Sequence, residues 1–285
     1  MKKEIITLLA LVGGAVASDA DITLLYGMDF KLPASGGVSY ENVALNPGTG
    51  LISTVGTGFH NYITGMDGSK AADVRKTTGS SYQITAASDS TTGLGVNTTD
   101  GFTLTFNAKY HPDAHWNSFL AFNIGGQELV FQWGDGINRN NSGTTTTSLS
   151  VFTYSNGGSV STGDTGLSIS GIDADWHNVA LVAKKGTLTL SAYDSSANLI
   201  NTCTVNAKYT GTLNSVSGRT DYKFVEASYI DNMAIYDGAL TNDQLIAVTK
   251  YEMKNQTVMQ SIPEPTTATL SLLALAGLAA RRRRR

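Results

Sequence analysis

The chain has 285 residues, 23 acidic against 20 basic, a net charge of −3 and one cysteine. A single thiol cannot close an internal disulfide, so the fold must rest on its core. Setting aside Lys2, Lys3, Glu4 and the five terminal arginines leaves residues 18–265 with 13 basic and 22 acidic side chains, a net of −9, which argues against nucleic acid and anionic lipid as partners of the body.

Met1 is followed by Lys2 and Lys3, and then residues 5–16 are apolar apart from Thr7. Ala15-Val16-Ala17 is a small-x-small exit, with Ser18-Asp19-Ala20 as a slightly later alternative. That run is too short for a permanent helix across a hydrocarbon core of about 30 Å. It predicts a signal peptide over 1–17, handled by the Sec translocon.

The body is rich in Gly, Thr, Ser and Asn and poor in Pro, Lys and Glu, which favours short strands joined by tight turns. Ile22-Thr23-Leu24-Leu25-Tyr26 reads as the first strand. Phe102-Thr103-Leu104-Thr105-Phe106 alternates strictly, so its three apolar residues share one face. Residues 118–122 and 128–133 flank Gly125-Gly126, a hairpin signal because glycine tolerates the positive φ of primed turns. Lys184-Lys185-Gly186 predicts a second hairpin between residues 178–183 and 187–193. Residues 199–205, which include Cys203, and 224–236 supply further strands. Cys203 reads as a small buried apolar strand residue rather than a nucleophile. Residues 48–68, 134–147 and 155–166 read as loops, the second with an exposed Thr144-Thr145-Thr146-Thr147 patch. Thr241 is a plausible N-cap for one or two helical turns carrying Leu245, Ile246, Val248 and Thr249. Many short strands, little helix and no fixed-period repeat predict one all-β sandwich or jelly roll.

Two resemblances follow from particular residues. Pro263-Glu264-Pro265, the apolar stretch 266–280 and Arg281, Arg282, Arg283, Arg284 and Arg285 resemble a PEP-CTERM sorting signal. About 15 apolar residues fall short of the roughly 20 that span comfortably, so the tail reads as a marginal, transient anchor. The arginines hold its end on the cytoplasmic side, and the prolines keep Glu264 in an extended segment. The resemblance implies recognition by an exosortase-type membrane peptidase, cleavage near the motif, and delivery to the cell surface or extracellular matrix.

The second resemblance covers the body, taken as 18–255, with 256–285 as linker and sorting signal. Asp175-Trp176-His177-Asn178-Val179-Ala180-Leu181-Val182-Ala183, the turn, Thr187-Leu188-Thr189-Leu190-Ser191-Ala192-Tyr193, and Tyr229-Ile230-Asp231-Asn232-Met233-Ala234-Ile235-Tyr236-Asp237-Gly238-Ala239-Leu240-Thr241 resemble the laminin-G-like branch of the concanavalin A-like jelly rolls. Residues 31–95 match no pattern we can name. The resemblance implies that Trp176 is core, that His177 is structural, and that Ca²⁺ is a conceivable ligand. Asp29, Asp135, Asp231 and Asp237 are candidates by spacing, without a defined metal site.

Enzymatic sandwiches of this kind need paired carboxylates about 5–5.5 Å apart for retaining hydrolysis. Glu41, Glu128, Glu226 and Glu252 stand singly in the body, and no catalytic residue is assigned. His111 and His115 have metal-ligand spacing only on a helix, which Pro112 opposes. Glycan recognition needs an exposed aromatic beside polar groups. Trp116 and the Trp133-Gly134-Asp135 run are candidates, although Trp133 alternates with Leu129 and Phe131 and so also reads as core. The sequence therefore predicts an exported, noncatalytic module binding glycan or matrix polymer. A divergent glycan hydrolase or lyase, and a structural matrix protein without a discrete ligand, stay open.

Overall fold

The computed structural model describes residues 22–29, 42–55, 62–64, 70–73, 81–86, 90–110, 118–134, 146–154, 163–218 and 228–262. Strands dominate, as the composition predicts. In chain order they are β1 (Leu24–Met28), β2 (Leu51–Val55), β3 (Tyr62–Thr64), β4 (Lys70–Asp73), β5 (Ser81–Thr85), β6 (Phe102–Tyr110), β7 (Ser118–Ile124), β8 (Gln127–Trp133), β9 (Thr146–Tyr154), β10 (Gly163–Asp173), β11 (Trp176–Lys184), β12 (Thr187–Tyr193), β13 (Leu199–Asn206), β14 (Leu213–Gly218) and β15 (Ser228–Tyr236). One helix, α1 (Asn242–Asn255), follows.

The strands form two antiparallel sheets. One runs β13-β12-β11-β6-β15-β4-β3, with β1 added on β15; the other runs β10-β9-β8-β7-β14-β5-β2. Their inner faces meet as a sandwich. Period-two alternation puts Phe102, Leu104 and Phe106 of β6 inside, at 0% exposure, against Leu129 and Phe131 of β8. Phe106 and Phe131 meet edge to face, with centroids 5.1 Å apart, and Phe119 stacks on Trp133 at 5.1 Å. Such ring pairs add about 0.5–1.5 kcal/mol each beyond the area they bury.

Both predicted hairpins form. Gly125 (φ 58°) and Gly126 (φ 88°) turn β7 into β8, so the glycines serve the left-handed geometry the turn requires. Lys184 pairs with Thr187 across the second turn, where Lys185 (φ 49°) and Gly186 (φ 79°) are left-handed.

Several expectations are corrected. Residues 48–68 are not all loop, since β2 and β3 lie within them. Thr146 and Thr147 start β9, and Thr147 is buried rather than solvent-exposed. β10 begins inside the predicted loop 155–166. Trp176 is only half-buried, because the alternation that puts Val179 and Leu181 inside puts Trp176 on the outer face. The helix has 14 residues, well beyond one or two turns. Its Thr241 N-cap is as expected, within a capping box completed by Gln244.

The two ends of the sandwich differ. At one end the Gly125-Gly126 turn, the Gly186 turn and the Gly211 segment are tied together through Thr98, and there too β9 ends at Tyr154 and β10 begins at Gly163. Gly186 N donates to Thr98 O at 3.3 Å, Thr98 N to Gly211 O at 3.0 Å, and Gly125 N to Thr212 O at 2.9 Å. We term this the closed end. At the opposite, open end β6 finishes at Tyr110, whose ring meets Trp133 at 5.6 Å. There β7 and β9 begin, β8 and β14 finish, and β15 starts with Ser228 paired to Tyr110.

Candidate functional site

The site residues expected from sequence fall into three groups. Trp133 is 1% exposed, packed between Phe119 and Tyr110. Its alternation with Leu129 and Phe131 decides its place, and the ring belongs to the core rather than to a surface platform. Trp116 and Asp135, like His111 and His115, lie outside the described residues, as do the sorting motif Pro263, Glu264 and Pro265 and the arginines Arg281 to Arg285. The described strands on either side of Trp116 and Asp135, β6 and β7 for the first and β8 and β9 for the second, have their facing termini at the open end.

Of the calcium candidates, Asp135 lies outside the described residues. Asp237 is engaged at the closed end, where its Oδ1 accepts from Thr23 N at 2.6 Å and its Oδ2 accepts from the Thr23 hydroxyl. Asp231 is 1% exposed on β15, opposite Asn107 of β6. Asp29 follows β1, and its Oδ2 accepts from Thr257 Oγ1 at 3.5 Å. Among the described residues no three His, Cys, Asp or Glu side chains gather as metal ligands would. His177 is buried and bonded through Nε2 to Asp173 Oδ1 at 2.8 Å, a structural tie across the 173–176 turn.

Sequence reasoning missed the polar layer under α1. The outer face of the eight-stranded sheet presents Thr105 and Asn107 from β6, Asn178 from β11, and Asp231 and Tyr236 from β15, all at most 1% exposed. From above, α1 lowers Thr249 and Glu252, both fully buried. Asn178 Nδ2 donates to Asn107 Oδ1 at 2.8 Å and to Glu252 Oε2 at 3.1 Å, while Thr249 Oγ1 donates to Asn178 Oδ1 at 3.1 Å. Burial pushes the Glu252 carboxyl well above the usual carboxylate range. The nearby Asp231 charge adds to the rise, while bonds from Met259 N, Asn178 and Tyr236 oppose it. Burial likewise drives the Tyr236 phenol well up, helped by Glu252. Asn107 Nδ2 has no hydrogen-bond partner. A lone Glu at residue 252 gives no sequence signal for this arrangement, since only the fold sets it over Asn178.

After α1 the chain turns at Gln256 (φ 54°) and runs back along the sheet's outer face as an extended strap, residues 256–262. Val258 is fully buried. Tyr236 donates its hydroxyl to Met259 O at 3.1 Å, Gln260 Nε2 donates to Val43 O at 2.7 Å, and Ser261 forms an antiparallel bridge with Thr23.

No family model matches this chain, and no curated protein matches it. Among solved structures it is similar to the binding domain of Paraclostridial mosquitocidal protein 1, with 12% identity and a TM-score of 0.47 over 80% of this chain and 52% of that one. The binding domain of botulinum neurotoxin serotype G gives 8% identity and a TM-score of 0.47 over 79% and 50%. The CBM2 module of the evolved Dit of Lactobacillus casei BL23 phage J-1 gives 11% identity and a TM-score of 0.45 over 78% and 98%. This chain thus spans about half the length of the two toxin domains.

Proposed function

We propose that this is an exported surface protein carrying a PEP-CTERM sorting signal, and that its sandwich is a noncatalytic, laminin-G-like module binding glycan or matrix polymer at the open end. The Sec translocon takes residues 1–17. An exosortase-type membrane peptidase acts near Pro263-Glu264-Pro265, and the marginal apolar stretch with its arginine lock holds the chain until then.

The observation that carries the binding half is the polarity of the sandwich. Glycine turns and the Thr98 hydrogen bonds tie together part of the closed end, which also carries the connection between β9 and β10, whereas 111–117, 135–145 and 219–227 connect strands at the open end. Binding residues concentrate on connections positioned by a rigid scaffold, and Trp116 and Asp135 belong to two of these.

The binding half is tested with a glycan array and matrix-polymer pulldown on the mature body, with Ca²⁺ and with chelator. The expected result is binding that is lost in Trp116→Ala and Asp135→Ala, each retaining the parent Tm. No binding on either arm overturns it, and polysaccharide turnover abolished by one acid substitution would replace it with an enzyme. The sorting half is tested by mass spectrometry of the C-terminus from membrane and surface fractions, where Glu264→Ala is expected to leave the tail attached.

A further inference from the structure

The buried polar layer grips the strap at one peptide. Met259 N donates to Glu252 Oε1 at 3.5 Å, and Met259 O accepts from the Tyr236 hydroxyl at 3.1 Å. The other oxygen of the same carboxyl, Glu252 Oε2, accepts from Asn178 Nδ2 of β11 at 3.1 Å. Glu252 therefore ties α1, the sheet and the strap together, and it is fully buried in the last turn of α1. The chain reverses just beyond it. Gln256 is left-handed (φ 54°), and its N–H donates to Glu252 O at 2.9 Å.

We propose that the strap is a proton-controlled latch, docked on the sheet while Glu252 carries a proton and released when that proton leaves, the sandwich beneath staying folded. An ionised Glu252 meets no compensating charge among the described residues. The ionisable side chains that act on it are Asp231 and Tyr236 of β15. β6 offers only Thr105 and Asn107, β11 offers Asn178, and residues 256–262 contain no ionisable side chain. Asp29, which accepts from Thr257 at 3.5 Å, adds a further acid near the start of the strap. On α1 itself Lys250 and Lys254 are exposed. The last turn of a helix also presents its negative end, which opposes a carboxylate there. Burial and the Asp231 charge accordingly favour the protonated form of Glu252. The Tyr236 phenol is driven well up and keeps its own proton throughout the carboxylate range.

Water relieves a buried carboxylate, and the strap is the thinnest cover over this one. Beneath lies the sheet, and the body of α1 is anchored by Leu245 and Val248 in apolar packing. The strap is a single extended segment, buried at Val258 and hinged at Gln256. Lifting it with the last helical turn wets Glu252 and leaves the aromatic layer between the sheets untouched. The docked state holds the proton more tightly than the open one, so docking is complete in acid. It weakens as pH rises above the ordinary carboxylate range, and levels off above the docked value. Within that window the open population rises by up to about tenfold per pH unit. The segment that leaves the body after α1 is thus sequestered in acid and accessible at higher pH.

The test is hydrogen exchange on the full chain in mild detergent, from about pH 5 to about pH 9, with each rate divided by its intrinsic, pH-dependent value to give protection. Protection of residues 257–261 is expected to fall as pH rises, by up to about tenfold per unit, while β7 and β8 keep theirs. Glu252→Gln keeps the shape and cannot ionise, so its strap protection should be flat across the range. Asp231→Asn removes the neighbouring charge, so the fall should level off at a lower pH than in the parent. Flat strap protection in the parent overturns the latch, and so does a fall shared equally by β7 and β8. A fall in Glu252→Gln that matches the parent overturns it as well. Should Glu252→Gln not fold, Asp231→Asn decides: a fall identical to the parent's refutes the latch.

Discussion

The two faces of the eight-stranded sheet bury different chemistry, one wholly apolar and the other apolar with a polar patch set into it. Its inner face meets the second sheet through Phe102, Leu104, Phe106, Val179, Leu181, Met233 and Ile235, an apolar layer joined by edge-to-face and stacked rings. The outer face meets α1 and the strap through a mixed layer, in which Leu24, Val182 and Tyr193 of the sheet pack with Leu245, Val248 and Val258 beside a polar patch of Asn107, Asn178, Asp231 and Glu252. An apolar layer gains from every methylene it keeps from water and tolerates imprecision in direction. A buried polar layer gains only if each donor meets an acceptor. The inner face thus supplies stability, and the outer face specifies where one helix and one strap must sit.

The largest expected effect comes from emptying the inner layer. Phe131 contacts Phe106, Phe119 and Phe122, and truncating it leaves a void those rings cannot fill together. Phe131→Ala is expected to lower stability by about 3–5 kcal/mol, read as a shift in urea midpoint with little change in slope. A loss below about 1 kcal/mol would mean that the aromatic layer is not the main source of stability.

The outer layer is broken most directly at Asn178, which joins β6, β11 and α1. Asn178→Ala leaves Asn107 Oδ1, Glu252 Oε2 and Thr249 Oγ1 without their shared partner, at an expected cost of about 1–3 kcal/mol. Hydrogen exchange on α1 and residues 256–262 should accelerate more than on β7 and β8. Uniform acceleration would refute the separation of roles.

This contrast explains what could be read from the sequence. The inner layer announces itself through strict alternation, as in Phe102-Thr103-Leu104-Thr105-Phe106, and Gly125-Gly126 fixes its hairpin. The outer layer has no such pattern, since Thr105, Asn107 and Asn178 look like solvent-face residues until a helix covers them. The same cover hid the length of α1. Thr249 and Glu252 occupy its buried stripe, so the apolar periodicity fades after Val248 although the helix continues to Asn255. Trp133 had both readings in sequence and burial settles it as core. Trp116 and Asp135 lie on connections whose ends the strands position, which gives the end of the fold but not the chemistry of a site.

A titration sharpens the comparison further. Burial raises the Glu252 carboxyl above its unfolded value, so the folded state holds a proton more tightly than the unfolded chain does. The sign follows directly: stability is greatest below the ordinary carboxylate range, falls as pH rises towards the folded value, and levels off above it. The slope attributable to this group is at most about 1.4 kcal/mol per pH unit. Glu252→Gln keeps the shape and removes the proton, so its stability should gain on the parent as pH rises and match it most closely in acid. Parallel pH profiles for parent and variant would show that Glu252 titrates normally. Asp231 and Tyr236 face the same group, so Asp231→Asn is expected to shorten the pH window over which the parent loses stability without abolishing it.

The smallest expected effect tests whether α1 depends on its own end or on the layer beneath it. Thr241 accepts from Gln244 N at 3.3 Å, and Gln244 Oε1 accepts from Thr241 N at 2.9 Å. Thr241→Ala removes the first of these, and such cap losses cost about 1 kcal/mol. That is comparable to a single hydrogen bond of the Asn178 network, yet it acts on a different part of the helix. Loss of the cap should fray the first turn near Asn242 while Glu252, anchored from below, stays protected. Combining Thr241→Ala with Asn178→Ala makes the distinction quantitative. Additive losses mean that cap and layer hold α1 independently, as their separation along the helix implies. A combined loss well above the sum would mean that the helix is marginal throughout, and that the strap leading to the C-terminal tail is only as firmly docked as the weaker of the two.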